Sequence, residues 1–248
     1  PESEITDIAR QISMDPSLTA DLLKVVNSAQ FMLPKKVDNI VEAVKLVGLR
    51  GLKNLLYSYG TQKLLKGGTE DLWEHSYRTA YYAYTLAKSL RKKDILDDAY
   101  VGGILHDMGK IIFSNIHPEL LEKITLFCKE RDISRDFIED LSAGLNHAEI
   151  GALIAEKWNF PDSLVDAIHY HHDPDAASEE NRLVVYTVYL ANAFCNIEQD
   201  ILSYDLLNKR VLNLFGLKSE EQFNLTKNKL EDAFERERAD RSEIYRAE

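Results

Sequence analysis

The 248-residue chain has only two cysteines, six prolines and eleven glycines, and its cations fall well short of its anions, leaving a net charge of −11. Each shortage excludes something. Cys128 and Cys195 stand far apart, in apolar contexts and outside any CxxC spacing, so no disulfide framework or cysteine zinc site is available and buried thiols in a reducing compartment are expected. An acidic chain is repelled by a phosphate backbone unless a basic patch compensates, and Pro34-Lys35-Lys36 and Arg91-Lys92-Lys93 are both short. Nucleic acid is therefore not expected as a partner. No apolar run approaches the ~18 residues of a membrane span, and the opening PESEITDIARQ has no apolar signal-peptide core. These absences predict a cytoplasmic protein with no membrane partner, and the missing initiating methionine suggests a piece of a longer chain.

No repeat and no β-branched run of period two appears; helical spacing dominates instead. Leu18, Leu22, Val25 and Val26 form one stripe, opened by Asp15-Pro16-Ser17. A second helix is expected from Asn39 to Val47, ending at Gly48, and a third from Leu49 to Leu65, with Gly67 and Gly68 suited to its C-cap. Thr69 to Leu90 carries Trp73, Tyr77, Ala80, Tyr81 and Tyr84 at three- and four-residue spacing, which predicts one buried face. Further helices are expected within Asp97–Asn115, from His117-Pro118 to Cys128, and over Ser134–Leu141, Asn146–Trp158, Pro161–His172 and Ser178–Asn196. The charged end FERERADRSEIYRAE reads as a solvated helix. The fold class is all-α.

Seven histidines are present, and five of them, His75, His106, His147, His171 and His172, sit where a metal site would want them. His75 lies mid-helix with Asp71 one turn before it on the same face. GGILHDMGK places His106 beside Asp107, with Lys110 three residues on. His147 follows Asn146, and His171-His172 close the helix that begins at Pro161. Imidazole nitrogen with carboxylate oxygen suits Zn, Fe or Mn. Each histidine also has a plainer reading. Asn146 is a good N-cap, which would leave His147 on the surface of a first turn. His171 and His172 would be partly exposed at a helix C-terminus, where the dipole favours imidazolium. His117 and His169 read as structural.

The order DPSLTADLLKVVNSAQF, VEAVKLVGLRGLKNLL, ILHDMGK, NHAEIGALIAEKWNFP and AIHYHHDP resembles the HDOD (HD-related output domain) family, a branch of the HD metal-dependent phosphohydrolases. The resemblance implies a helical HD-like bundle preceded by an N-terminal helical subdomain. It places the HDOD domain at 1–200, with 1–66 as the N-terminal part and 67–200 as the HD-like core, and leaves 201–248 as a helical extension. It also implies one or two divalent metal ions. His75, His106 and Asp107 match the first three ligands, and His147, His171 and His172 match the additional histidines of the related HD-GYP phosphodiesterases. Asp71 matches an acidic ligand, and Lys110 matches a lysine that contacts phosphate.

Two departures follow. Asn192 stands where the final Asp ligand is expected, and Asp173-Pro174-Asp175 replaces the Gly-Tyr-Pro after the histidine pair. The second disfavours a cyclic dinucleotide phosphodiesterase. The resulting expectation is a regulatory output module of a bacterial signalling protein with a degenerate metal site. Such a module would act through a signalling partner or an attached regulatory domain. The alternatives are a metal-dependent phosphohydrolase acting on a nucleotide or another small phosphorylated ligand, and a metal- or haem-type sensor that binds without hydrolysis.

Overall fold

The computed structural model describes residues 12, 19, 22, 23, 26, 37, 40–46, 70–111, 146–198 and 203–246. The helices expected at Leu49–Leu65, His117–Cys128 and Ser134–Leu141, with the Gly67-Gly68 stop, Cys128 and His117, lie outside the described residues. Every regular element among the described residues is helical. The chain divides into two compact units, residues 1–61 with 231–248, and residues 62–230.

In the first unit Ile12, Leu22, Val26, Val37, Ile40, Ala43 and Val44 form one buried cluster, with Leu23 and Val41 packed against it. Leu22 with Val26, and Ile40 with Ala43 and Val44, are the three- and four-residue steps of two helical stripes. Thr19 donates its hydroxyl to the Ile12 carbonyl at 2.9 Å.

The second unit holds α1 (Glu70–Ser89), α2 (Leu96–Leu105), α3 (His147–Lys157), α4 (Asp162–His169), α5 (Arg182–Glu198), α6 (Lys209–Leu214) and the start of α7 (Glu220–Arg246). Within it α1 packs on α2 and α5, α2 also meets α4 and α5, and α3 lies on α4. α5 is apolar nearly all round, with Val184, Val185, Val188, Leu190, Ala191, Phe194 and Cys195 buried, the mark of a helix enclosed by others. Phe194 stacks on Phe223 of α7 at 4.3 Å and meets Tyr82 of α1 edge-on.

The buried face of α1 differs from the aromatic stripe expected from the sequence. Of that stripe Ala80 is enclosed, but Trp73, Tyr77, Tyr81 and Tyr84 are only half-buried, and Ser76, Thr79, Tyr82, Ala83 and Ala87 are enclosed instead. Apart from Tyr82 and Leu86 the enclosed side chains are small, because another helix comes close. A Cβ added to Gly103 of α2 would lie 2.6 Å from Ala80 Cα, so these helices meet almost backbone to backbone. A second crossing sets the segment after α2 against α3: a Cβ on Gly109 would strike the His147 carbonyl and lie 3.0 Å from Gly151 N. Together the two contacts bring α1, the HD segment and the start of α3 to one place. No helix among the described residues is long and apolar enough to cross a membrane.

Candidate metal centre

Local structure aims each histidine before any tertiary contact is counted. His106 is the C-cap of α2, and His171 comes two residues after the end of α4. Each reaches back three residues to a carbonyl of the last helical turn, His106 Nδ1 to Gly103 O at 2.8 Å and His171 Nδ1 to Ile168 O at 2.7 Å. A carbonyl can only accept, so both Nδ1 atoms carry hydrogen, and the Nε2 of the neutral ring is left as a lone pair pointing inward. This is how second-layer contacts prepare histidine for a metal. Asn146 starts α3 with a full capping box, its Oδ1 accepting from Glu149 N at 2.9 Å while its own N–H donates to Glu149 Oε2 at 3.0 Å. That cap fixes the first turn and hence His147. Asn146→Ala is expected to cost about 1 kcal/mol, read as a fall of about 2–4 °C in melting temperature for a chain this size.

The side chains meet around Asp107, which is 2% exposed. Its Oδ2 lies 3.4 Å from His106 Nε2, 3.6 Å from His75 Nε2 and 3.1 Å from Lys110 Nζ. Its Oδ1 lies 3.3 Å from His147 Nε2 and 3.6 Å from His171 Nε2, and completes no hydrogen bond. The imidazoles also converge on one another: His75 and His106 meet Nε2 to Nε2 at 3.3 Å, His147 and His171 at 3.2 Å, and His147 and His172 at 3.1 Å. Two groups of three result, His75–His106–Asp107 and His147–His171–His172, with the Asp107 carboxylate between them.

A neutral imidazole has at most one Nε2 hydrogen, so His147 cannot satisfy two neighbouring Nε2 atoms and a carboxylate oxygen together. Donors around a four-coordinate ion with metal–nitrogen bonds of about 2.0–2.1 Å stand roughly 3.3 Å apart. The spacing, the buried unpartnered Oδ1 and the nitrogen-rich donor set fit divalent ions such as Zn, Fe or Mn.

Asn192 on α5 is buried beside His75, with an Oδ1 that completes no hydrogen bond. Asp71 is exposed and belongs to neither group. His147 is buried as a ligand would be and not on the surface that its plainer reading gave, because the crossing at Gly109 turns the first turn of α3 inward. His172 is exposed but His171 is not. Burial overrides the helix dipole at His171 and pushes its pKa well below the ordinary value. The same cause lowers His75 to about 4. Burial would raise Asp107, but the facing His106, Lys110 and His147 outweigh it and hold the carboxyl well below the usual range. Burial thus favours neutral rings at His75 and His171 around an anionic Asp107. His169 stacks on Tyr170, with ring centroids 4.3 Å apart, and takes no part.

The fixation of the 170–181 loop was not legible in residue type. Asp166 accepts from Ser178 and Asn181, and Asp175 accepts from Tyr186 and Asn208 at 2.7 and 2.9 Å. The carbonyls that orient His106 and His171 were equally hidden, although a histidine at a helix C-terminus with an acceptor three residues back is a spacing that a sequence search could use.

Depressed histidine pKa values carry a stability consequence. The unfolded chain takes up protons near 6.5, whereas folded His75 waits until about 4. Stability of the metal-free chain is therefore complete above about pH 6.5 and is lost as pH falls toward 4, with His75 contributing on the order of 3 kcal/mol. Thermal melts of chelator-treated protein from pH 7.5 to 4.5 should show that slope, and His75→Gln should flatten it.

The family model of the HDOD domain matches residues 1–174. An uncharacterised protein of Treponema pallidum (strain Nichols) is 38% identical over 240 residues, 96% of this chain and 47% of that protein. The chain thus spans less than half of that relative's length. An HDOD domain protein of Geobacter sulfurreducens superposes with a TM-score of 0.76 at 24% identity, over 97% of this chain and 86% of that one. A candidate phosphohydrolase of Shewanella amazonensis gives 0.69 at 25% identity, over 92% and 82%.

Proposed function

The chain belongs to the HDOD domain family, and from that premise we propose that it holds divalent metal between its two histidine groups and hydrolyses a phosphoester there. The observation that supports this reading most is Asp107, one buried carboxylate whose two oxygens face two separate sets of imidazoles. His75, His106 and Asp107 would hold one ion, and His147, His171 and His172 the other. Metal bound there supplies Lewis acidity to a phosphoryl oxygen. The chain's own residues do the rest. His106 and His171 are locked with lone pairs inward, and the Lys110 ammonium, on a side chain 19% exposed, is placed to meet a phosphoryl oxygen when it leaves Asp107. The buried walls keep bulk water from diluting these charges.

A second reading, a regulatory module acting through a signalling partner or an attached domain, is favoured by Asn192, which offers an amide where an anionic ligand is expected. The length of the Treponema relative fits a domain working inside a larger protein.

Elemental analysis of protein purified without chelator, followed by a panel of phosphomonoesters, phosphodiesters and nucleotides, separates the two. Bound metal with hydrolysis that disappears in the His106→Ala/Asp107→Ala double variant is the expected result. A folded wild type that binds metal yet hydrolyses nothing on the panel, or takes up no metal when it is supplied, sinks the enzyme reading in favour of the second.

A further inference from the structure

The two half-sites are unequal. Among the described residues, the two groups contain one carboxylate, Asp107. Its Oδ1, on the side of His147, His171 and His172, is buried without a hydrogen bond, so that half-site presents three imidazoles and an uncommitted anionic oxygen. Its Oδ2, on the side of His75 and His106, is already engaged by the Lys110 ammonium at 3.1 Å. The group beside His75 that could have added a second negative charge is Asn192, which is neutral and 4% exposed. Two divalent ions would bring four positive charges, and Lys110 a fifth, against the single carboxylate charge that the described residues of the two groups supply, in surroundings largely cut off from water. Uncompensated charge of that kind is strongly unfavourable.

We propose that Asn192 and Lys110 make occupancy of the second half-site conditional on an anion. An ion settles beside His75 and His106 only together with a phosphate-bearing ligand, while the half-site of His147, His171 and His172 fills by itself. The phosphate serves twice in this arrangement, supplying the negative charge that Asn192 does not and drawing the Lys110 ammonium away from Asp107 Oδ2. The coupling is reciprocal, so phosphate binds more tightly to the two-ion state. The inference rests on the metal-holding reading above and names what completes that site.

The test uses the full chain, stripped of metal and dialysed against Mn²⁺ in chloride buffer, then in the same buffer with inorganic phosphate at matched ionic strength. Bound ions per chain are counted by elemental analysis, and electron paramagnetic resonance distinguishes an isolated Mn²⁺ from an exchange-coupled pair. In chloride the wild type should hold about one ion with an isolated spectrum; in phosphate it should hold about two, coupled, with the second affinity raised at least about fivefold. Asn192→Asp should hold the coupled pair in both buffers, and Lys110→Met should shift in the same direction. A coupled pair in chloride, or a wild-type count that phosphate leaves unchanged at one, overturns the inference while leaving metal binding intact. No ions in either buffer overturns both. The wild-type comparison decides even where a variant fails to fold.

Discussion

Gly109→Ala is expected to be the most damaging Gly→Ala change among the described residues, costing about 3 kcal/mol or more and lowering the melting temperature by about 6–12 °C. The added carbon would press directly into the His147 carbonyl and lie 2.7 Å from its carbon. Neither is a flexible side-chain end, so the backbone of α3 must move. His147 moves with it, and its 3.3 Å approach to Asp107 Oδ1 opens. Metal content should therefore fall along with stability. Gly216→Ala is the useful comparison. Gly216 sits at a φ of +72° with nothing within 4 Å of an added Cβ. Alanine there bears only the conformational cost, about 1 kcal/mol, and should leave metal uptake unchanged. Melts and elemental analysis of the two variants side by side decide the matter. Equal losses would mean that the crossing at Gly109 does not position the site.

Asp107→Asn should have the largest effect on metal uptake, lowering affinity by at least about 100-fold and removing any hydrolysis. The side chain keeps its size, but the buried negative charge disappears, and an amide N–H₂ now faces imidazole nitrogens or the Lys110 ammonium. Loss of an anion from a buried pair commonly costs 3–5 kcal/mol. Here Lys110 can turn toward solvent, since its side chain is 19% exposed, so the fold should survive with a smaller loss, about 1–2 kcal/mol. Calorimetric titration with Mn²⁺ and far-ultraviolet circular dichroism form the necessary pair of measurements. A folded variant that binds Mn²⁺ as tightly as the wild type would remove Asp107 from its place between the two groups.

Much of this protein could be read from the order of residues alone. The three- and four-residue spacing of apolar side chains placed α1 within a residue of its observed ends, Glu70 and Ser89. The Asn146 cap marked the start of α3 to the residue. Helix period and capping are local, so they are written in consecutive residues. The histidines and Asp107 were identifiable as a set because the family pattern fixes their types and order. Burial was another matter. The aromatic stripe of α1 looked like the core face, yet of its members Ala80 alone is enclosed, flanked by Thr79, Tyr82 and Ala83, because the close crossing at Gly103 leaves room at Thr79 and Ala80 for small side chains only.

The division between the two sources of information is sharpest at the site. By itself the sequence determined that the chain is helical, where α1 and α3 start to within a residue, and that imidazoles, carboxylates and a lysine are available around a metal. Only the tertiary structure decided that Asp107 stands between two groups, that His147 and His171 are buried while His172 and Asp71 are not, and that Oδ2 rather than Oδ1 carries the lysine. The reason is physical. A residue's type sets the chemistry it can perform. Its pKa, partners and access to water are set by neighbours 24 to 64 residues away along the chain, brought within a few ångströms with the help of two glycine crossings.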